Sequence, residues 1–65
     1  MKNNIKELRK MQSLRQEDLA IKVNVTRQTI NAIENNKYDP TLELAMKLAR
    51  ILNTTVEDLF QLELQ

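Results

Sequence analysis

QEDLAIKVNVTRQTINAIENNKY, residues 16–38, is the stretch whose reading decides the fold. It reads as a helix, a tight turn and a second helix. Leu19, Ala20 and Val23 form one apolar stripe, Ile30 and Ile33 form another, and Val25 is expected to lie buried in the turn between them. With Ile30 and Ile33 inward, a rotation of about 100° per residue turns Gln28, Asn31, Ala32 and Asn35 outward and leaves Arg27 at the flank. That outer face carries no apolar residue larger than alanine. Isoleucines on one side, with amides and a guanidinium on the other, are the chemistry of a helix that reads base edges.

Composition bounds what else the chain does. Its 65 residues allow one domain, near the lower limit for folding alone, burying about 60% of the unfolded surface. Cysteine and histidine are both absent, so disulfides, imidazole or thiolate metal sites and nucleophile–imidazole catalysis are excluded. The remaining scattered carboxylates give no support to a hydrolase, and no cofactor, metal or small-molecule effector is expected. No apolar run approaches the ~20 residues of a membrane span, and MKNNIKEL lacks the apolar core of a signal peptide. A soluble cytoplasmic protein without membrane partners is expected. Residues 1–40 carry eight Lys/Arg and five Asp/Glu, residues 41–65 two and four. The half with the outward amides is therefore basic, which favours approach of a polyanion.

In chain order, Met1 to Asn4 forms a short extended arm, and Asn3 or Asn4 caps a first helix ending near Met11 or Gln12. Ile5 and Leu8 face inward, Lys6 and Lys10 outward, and Leu14 fills the core. Gln16 opens the second helix and Asn24 closes it in a left-handed conformation. Thr26 caps the third, accepting from the amide of Gln28 or Thr29. Glycine is missing from the whole chain. Ser13, Asn24, Asn36 and Asn53 stand where turns ordinarily want it, and asparagine tolerates positive φ at modest cost. Pro40 stops helical continuation, and Thr41 caps a fourth helix whose Leu42, Ala45, Leu48, Ala49 and Leu52 line one broad apolar side, widened by Leu44 and Ile51. Thr55 with Asp58 opens a short fifth helix presenting Val56, Leu59 and Phe60. Residues 61–65 then alternate with the period of a strand.

Between Ile5 and Phe60 the chain resembles the lambda-repressor/Cro-type (XRE) helix-turn-helix regulators. The resemblance rests on Leu14, Gln16–Ala20, Val25–Ile30, Ile33–Asn35, Pro40–Leu42 and Leu44-Ala45 with Leu48-Ala49, in that order and spacing. The short cytolysin-regulator type is the nearest. In that type the termini pair as an antiparallel ribbon, here Lys2–Ile5 with Gln61–Leu64, and the protein is a homodimer. The resemblance implies a compact, all-α five-helix domain over residues 1–65, with its helix-turn-helix at 16–35 and extended termini at 1–4 and 61–65. It implies base reading by Arg27, Gln28 and Asn31, and phosphate contact by Gln16, Asn35 and Lys37. Arg15, Thr26, Tyr38 and Lys10 are further phosphate candidates, and Arg9 with Glu34 matches a structural ion pair. Three residues depart from the family pattern. Arg15 replaces a Thr or Ser cap, which weakens that helix start, and Ser13 and Asn36 replace common glycines.

Several of these residues have a plainer reading. Arg27, Gln28, Lys37 and Lys10 suit ordinary solvated positions, and Asn31 suits base, phosphate or solvent alike. Tyr38 reads as a core lid or as a phosphate-binding hydroxyl. Val56, Leu59, Phe60, Leu62 and Leu64 exceed what one small core needs and form the candidate dimer interface, although Leu62 and Leu64 also suit a cover over Phe60 within one chain. The expected activity is binding of operator DNA as a homodimer, with repression by promoter occupancy because no second domain recruits polymerase. An antitoxin-like protein-interaction module of the same fold is the alternative, weakened by the lack of an extension to wrap a partner.

Overall fold

The computed structural model describes residues 1–62; Leu64 of the expected interface lies outside them. The elements run β1 (Lys2–Asn3), α1 (Ile5–Met11), α2 (Gln16–Val23), α3 (Arg27–Glu34), α4 (Leu42–Ile51), α5 (Val56–Leu59) and β2 (Phe60–Gln61). At eight residues each, α2 and α3 fall short of the ~12–15 residues at which isolated helices persist. Packing holds them. Ile5, Leu19, Ile30, Ile33, Leu48 and Leu59 are fully buried in one core that every helix enters, each contributing about 1.5–3 kcal/mol. Among the described residues no helix is long and apolar enough to cross a membrane.

Helices α1 to α4 all end in the same way. Ser13, Asn24, Asn36 and Asn53 adopt φ of 57°, 61°, 60° and 58°, as their place in a glycine-free chain leads one to expect. Each forms the left-handed turn of a Schellman motif. The next residue's amide reaches back five positions, in the bonds Leu14 to Arg9, Val25 to Ala20, Lys37 to Ala32 and Thr54 to Ala49, at 2.9–3.0 Å. Leu14 and Val25 follow directly on such turns and are only half-buried, Val25 packing against the edge of the core.

The helix starts are more varied. Thr26, Thr41 and Thr55 accept from the amides of Thr29, Leu44 and Asp58. At α1 the Asn4 side chain makes no cap bond, because its Nδ2 donates to the Asp58 carbonyl at 3.1 Å. Asn3 Oδ1 accepts from the Ile5 amide instead, at 3.1 Å. At α2 the guanidinium of Arg15 has no acceptor to offer, so only the reciprocal half of a capping box forms. Asp18 Oδ2 accepts from the Arg15 amide at 2.8 Å, and the carboxylate also receives Nε at 3.2 Å and Nη2 at 3.1 Å. The start is thus weaker than a Thr cap by one bond, yet not bare.

Three expectations need correcting. Leu42 is 72% exposed, because about 100° per residue puts it roughly 120° from Leu48, just outside the buried arc. The terminal ribbon pairs Lys2 with Gln61 and Asn3 with Phe60, antiparallel. Its register lies earlier than the Lys2–Ile5 and Gln61–Leu64 pairing, because α1 already begins at Ile5. Leu59 and Phe60 belong to the core, at 0% and 7% exposure, since a four-residue α5 leading straight into β2 turns both inward. Leu59 is spent within the chain, while Phe60 shows only an edge at the surface, in the groove beside Val56 and Leu62. Val56 is half-buried against the same core, and Leu62 is 74% exposed.

Two predictions follow from the helix ends. Serine in the left-handed region lacks the compensation asparagine finds there, at a cost of about 1–2 kcal/mol, while a glycine loses about 0.4–1 kcal/mol through unfolded-state entropy. Ser13→Gly is expected to raise stability by up to about 1 kcal/mol and Asn24→Gly to leave it nearly unchanged, as read by urea denaturation. At α2, hydrogen bonding from the Arg15 side chain, then from its backbone amide, holds the Asp18 carboxyl below its ordinary range, and Asp18 raises Arg15 in return. A depressed folded-state value means stability that is present above the ordinary carboxylate range and lost as pH falls through the folded value. Arg15→Thr supplies the missing acceptor and is expected to raise the melting temperature by a few degrees at pH 7. Below about pH 4 its melting curve should fall less steeply than that of the native chain, and Asp18→Asn should remove this acid sensitivity altogether.

Candidate nucleic-acid interface

The second helix of the helix-turn-helix, α3, is fixed from behind by charged and amide groups. Glu34, in its last turn, receives Arg9 Nε on Oε2 at 2.7 Å and Arg9 Nη2 on Oε1 at 3.1 Å. The two side chains are only 9% and 4% exposed, and Arg9 Nη1 donates onward to the Leu14 carbonyl at 2.9 Å. Glu34 Oε1 also accepts from Gln16 Nε2 at 3.1 Å. The other end of the Gln16 amide accepts from Asn31 Nδ2 at 3.5 Å, the long limit of a hydrogen bond. Arg9, Gln16, Asn31 and Glu34 therefore form one connected set spanning α1, α2 and α3. Such a pair contributes little net stability but strongly selects a geometry, because either partner left alone is a buried charge.

The outer face of α3 is free. Arg27, Gln28 and Asn31 are exposed, and among the described residues the side chains of Arg27 and Gln28 engage no hydrogen bond. Thr26 caps the helix through Oγ1, 3.2 Å from the Thr29 amide and 3.0 Å from the Thr29 hydroxyl. Past the helix, Asn35 Nδ2 folds back onto the Asn31 carbonyl at 2.8 Å and leaves its Oδ1 outward. Lys37 is exposed, its amide held by the Ala32 carbonyl at 2.9 Å. Tyr38 is 47% exposed beside an open cleft of mixed lining, which includes Val23, Val25, Leu44, Thr29 and Lys47. Lys10 is exposed in the last turn of α1, one residue and about 100° away from Arg9. Arg15 is exposed but engaged with Asp18.

Other features escaped the sequence reading. Asn3, on β1, reaches the end of α3, bonding to the Ile33 carbonyl at 2.9 Å. Leu42 and Met1 lie exposed with Leu62 around an open apolar groove that also takes in Pro40, Val56 and Phe60, and Met46 lies exposed in the adjoining hollow on the outer side of α4. The only sequence signal for the first was an asparagine pair where one cap sufficed. For the second it was the surplus of apolar residues in the C-terminal third.

This geometry agrees with what the chain is similar to. A helix-turn-helix family model matches residues 5–59. An uncharacterised HTH-type transcriptional regulator of Methanocaldococcus jannaschii is 53% identical over 60 residues, covering 92% of this chain and 91% of that one. The uncharacterised HTH-type regulator YgzD of Bacillus subtilis is 48% identical over 63 residues, covering 97% and 96%. Among solved structures, the clp gene regulator ClgR of Corynebacterium glutamicum superposes with a TM-score of 0.77 at 18% identity, over 83% of this chain and 57% of that one. The SinR/SinI protein complex gives 0.74 at 28% identity, over 80% and 52%. The chain spans little more than half the length of those solved chains. With a family model matched over nearly its whole length, and near-full-length relatives at about half identity, the chain belongs to the helix-turn-helix family, that of HTH-type transcriptional regulators rather than of enzymes.

Proposed function

We propose that the chain binds duplex DNA as a symmetric homodimer and represses transcription by occupying a pseudo-palindromic operator. The observation that carries this reading is the contrast between the two sides of α3. Its inner side is locked by the buried Arg9–Glu34–Gln16 set, while Arg27 and Gln28 stand exposed on the other. A rigid helix with uncommitted polar termini suits the major groove, where a guanidinium pairs with guanine O6 and N7 and an amide with adenine N6 and N7. In this reading Arg27, Gln28 and Asn31 read bases, while Gln16, Thr26, Asn35, Lys37 and Tyr38 meet phosphates, flanked by Arg15 and Lys10. Asn31 has the smallest freedom of the three, because its amide also leans on Gln16.

A helix of eight residues is about 12 Å long and reads only a few base pairs, so selectivity calls for two copies about 34 Å apart on the DNA. The surface that suits a second copy is the groove at the start of α4. Leu42, Met46 and Leu62 are 72%, 56% and 74% exposed, and Leu42 joins the groove to the outer side of α4. Glu57 lines the groove, and Glu43, Lys47 and Arg50 line the adjoining hollow, with Lys47 paired to Glu43 at 3.1 Å, so both signs of charge flank the apolar surface of a two-fold contact. Val56, Leu62 and the exposed edge of Phe60 from the expected interface line this surface, and Leu42, Met46 and Met1 join them in place of Leu59. The paired termini are the arrangement expected of the short cytolysin-regulator type.

Arg27→Ala is expected to cost about 1–3 kcal/mol on a site selected from random duplexes and to relax preference at one position per half-site. Lys37→Ala should weaken all sequences alike and flatten the salt dependence by about one unit of slope. Equal loss of discrimination from both would reverse the two roles. Leu42→Asp and Leu62→Asp, both at exposed positions, should leave the chain folded but monomeric in sedimentation, with operator affinity reduced by about 100-fold or more. A native chain that sediments as a monomer at micromolar concentration, yet binds a palindrome without cooperativity, would defeat the dimer. It would leave the groove to a different protein, as the antitoxin-like alternative requires.

A further inference from the structure

The last turn of α3 is held from two sides. Arg9 and Gln16 take Glu34 from one. On the other, Asn3, thirty residues from Ile33, donates through Nδ2 to the Ile33 carbonyl at 2.9 Å and to Asn36 Oδ1 at 3.2 Å. Its Oδ1 meanwhile accepts from the Ile5 amide at 3.1 Å. Both N–H donors and the oxygen of this amide are engaged, and its orientation follows, because a flipped amide would set oxygen against the Ile33 carbonyl. The Ile33 carbonyl also receives the Asn36 amide at 3.1 Å within the Schellman turn. Asn3 thus clamps that turn at two points, the carbonyl that opens it and the side chain of the left-handed residue that closes it. Asn3 itself sits on β1 opposite Phe60, which lines the apolar groove.

We propose that Asn3 is a positioning residue for DNA binding. Acting through Asn36, it sets the loop that presents Asn35 and Lys37 to phosphate and ties that loop to the terminal ribbon. This rests on the DNA-binding reading above. A hydrogen-bonded clamp matters here because Asn36 holds φ 60° without being glycine. That conformation costs asparagine a little more than glycine, so contacts from outside the turn help to hold Lys37 in place. The ribbon gives the clamp its footing, since the Asn4 amide bonds the Leu59 carbonyl at 3.0 Å directly behind it.

Asn3→Asp separates this role from helix capping, because aspartate still accepts from the Ile5 amide but donates to neither Ile33 nor Asn36. Its melting temperature should stay within a few degrees of the native chain's. Hydrogen exchange at the Asn36 and Lys37 amides should quicken about tenfold while that of Leu48 is unchanged. Affinity for the selected duplex should fall about five- to tenfold. In a Lys37→Ala background the same change should cost less than about twofold, because the contact it positions is already gone. Asn36→Gly, which suits φ 60° and adds no charge, is the second variant and should show the same dependence on Lys37, with a loss of about two- to threefold. Equal losses in both backgrounds, or unchanged exchange at Asn36 and Lys37, would overturn the proposal. A native chain that selects no duplex at all would overturn the DNA-binding reading instead, with the exchange measurement still deciding whether the clamp exists.

Discussion

The buried pair of Arg9 and Glu34 is the constraint on which the rest of this structure depends. An arginine 7% exposed in a 65-residue chain tolerates burial only when its charge is paired and each guanidinium nitrogen finds an acceptor. Here two go to the carboxylate and one to the Leu14 carbonyl. Among the described residues no buried side-chain nitrogen or oxygen lacks a partner. Removing either member would leave a lone charge at a cost of about 3–5 kcal/mol, a large part of the stability of so small a domain. The pair therefore acts less as a source of stability than as a selector of one arrangement. Three helices meet there, and only one rotation of α3 brings Glu34 to both Arg9 and Gln16. That rotation is the one that turns Arg27 and Gln28 to solvent.

The absence of glycine works towards the same end. Four helices finish in left-handed turns built on serine and asparagine, so the folded chain carries some local strain while the unfolded chain has fewer conformations to lose. In a helix-turn-helix this stiffness is useful, because side chains that read bases must arrive in one geometry. The turn at Asn24 sets the angle between α2 and α3, and the turn at Asn36 sets where the following loop leaves α3. Asparagine at the second position brings something glycine lacks, a side chain for Asn3 to hold.

The C-terminal third divides its apolar residues between core and surface in a way that residue type does not announce. Leu59 and Phe60 go inside, while Leu42, Met46 and Leu62 stay out. Inward residues close the core around Leu48, and outward ones line an open apolar groove beside the ribbon. The ribbon connects the two regions. Its strand β2 carries Phe60 towards the groove, and its strand β1 carries Asn3 towards the reading helix.

Much of this was legible along the chain because it is local. The stripes of α2 and α3, the threonine caps at 26, 41 and 55, and the four left-handed turns depend on residues within about five positions of one another. The identity of the outward residues of α3 follows from the same rotation. The Arg9–Glu34 pair came only through family resemblance, since a separation of 25 positions carries no spacing rule. What the tertiary structure alone decided is non-local. It chose which leucines meet solvent, where the ribbon's register falls, that Gln16 bridges Glu34 and Asn31, and that Asn3 clamps the end of α3. A hydrogen bond needs its atoms placed to within a few tenths of an ångström, and a helix edge is decided by tens of degrees. Periodicity in the sequence resolves neither, and only the packed arrangement of all five helices does.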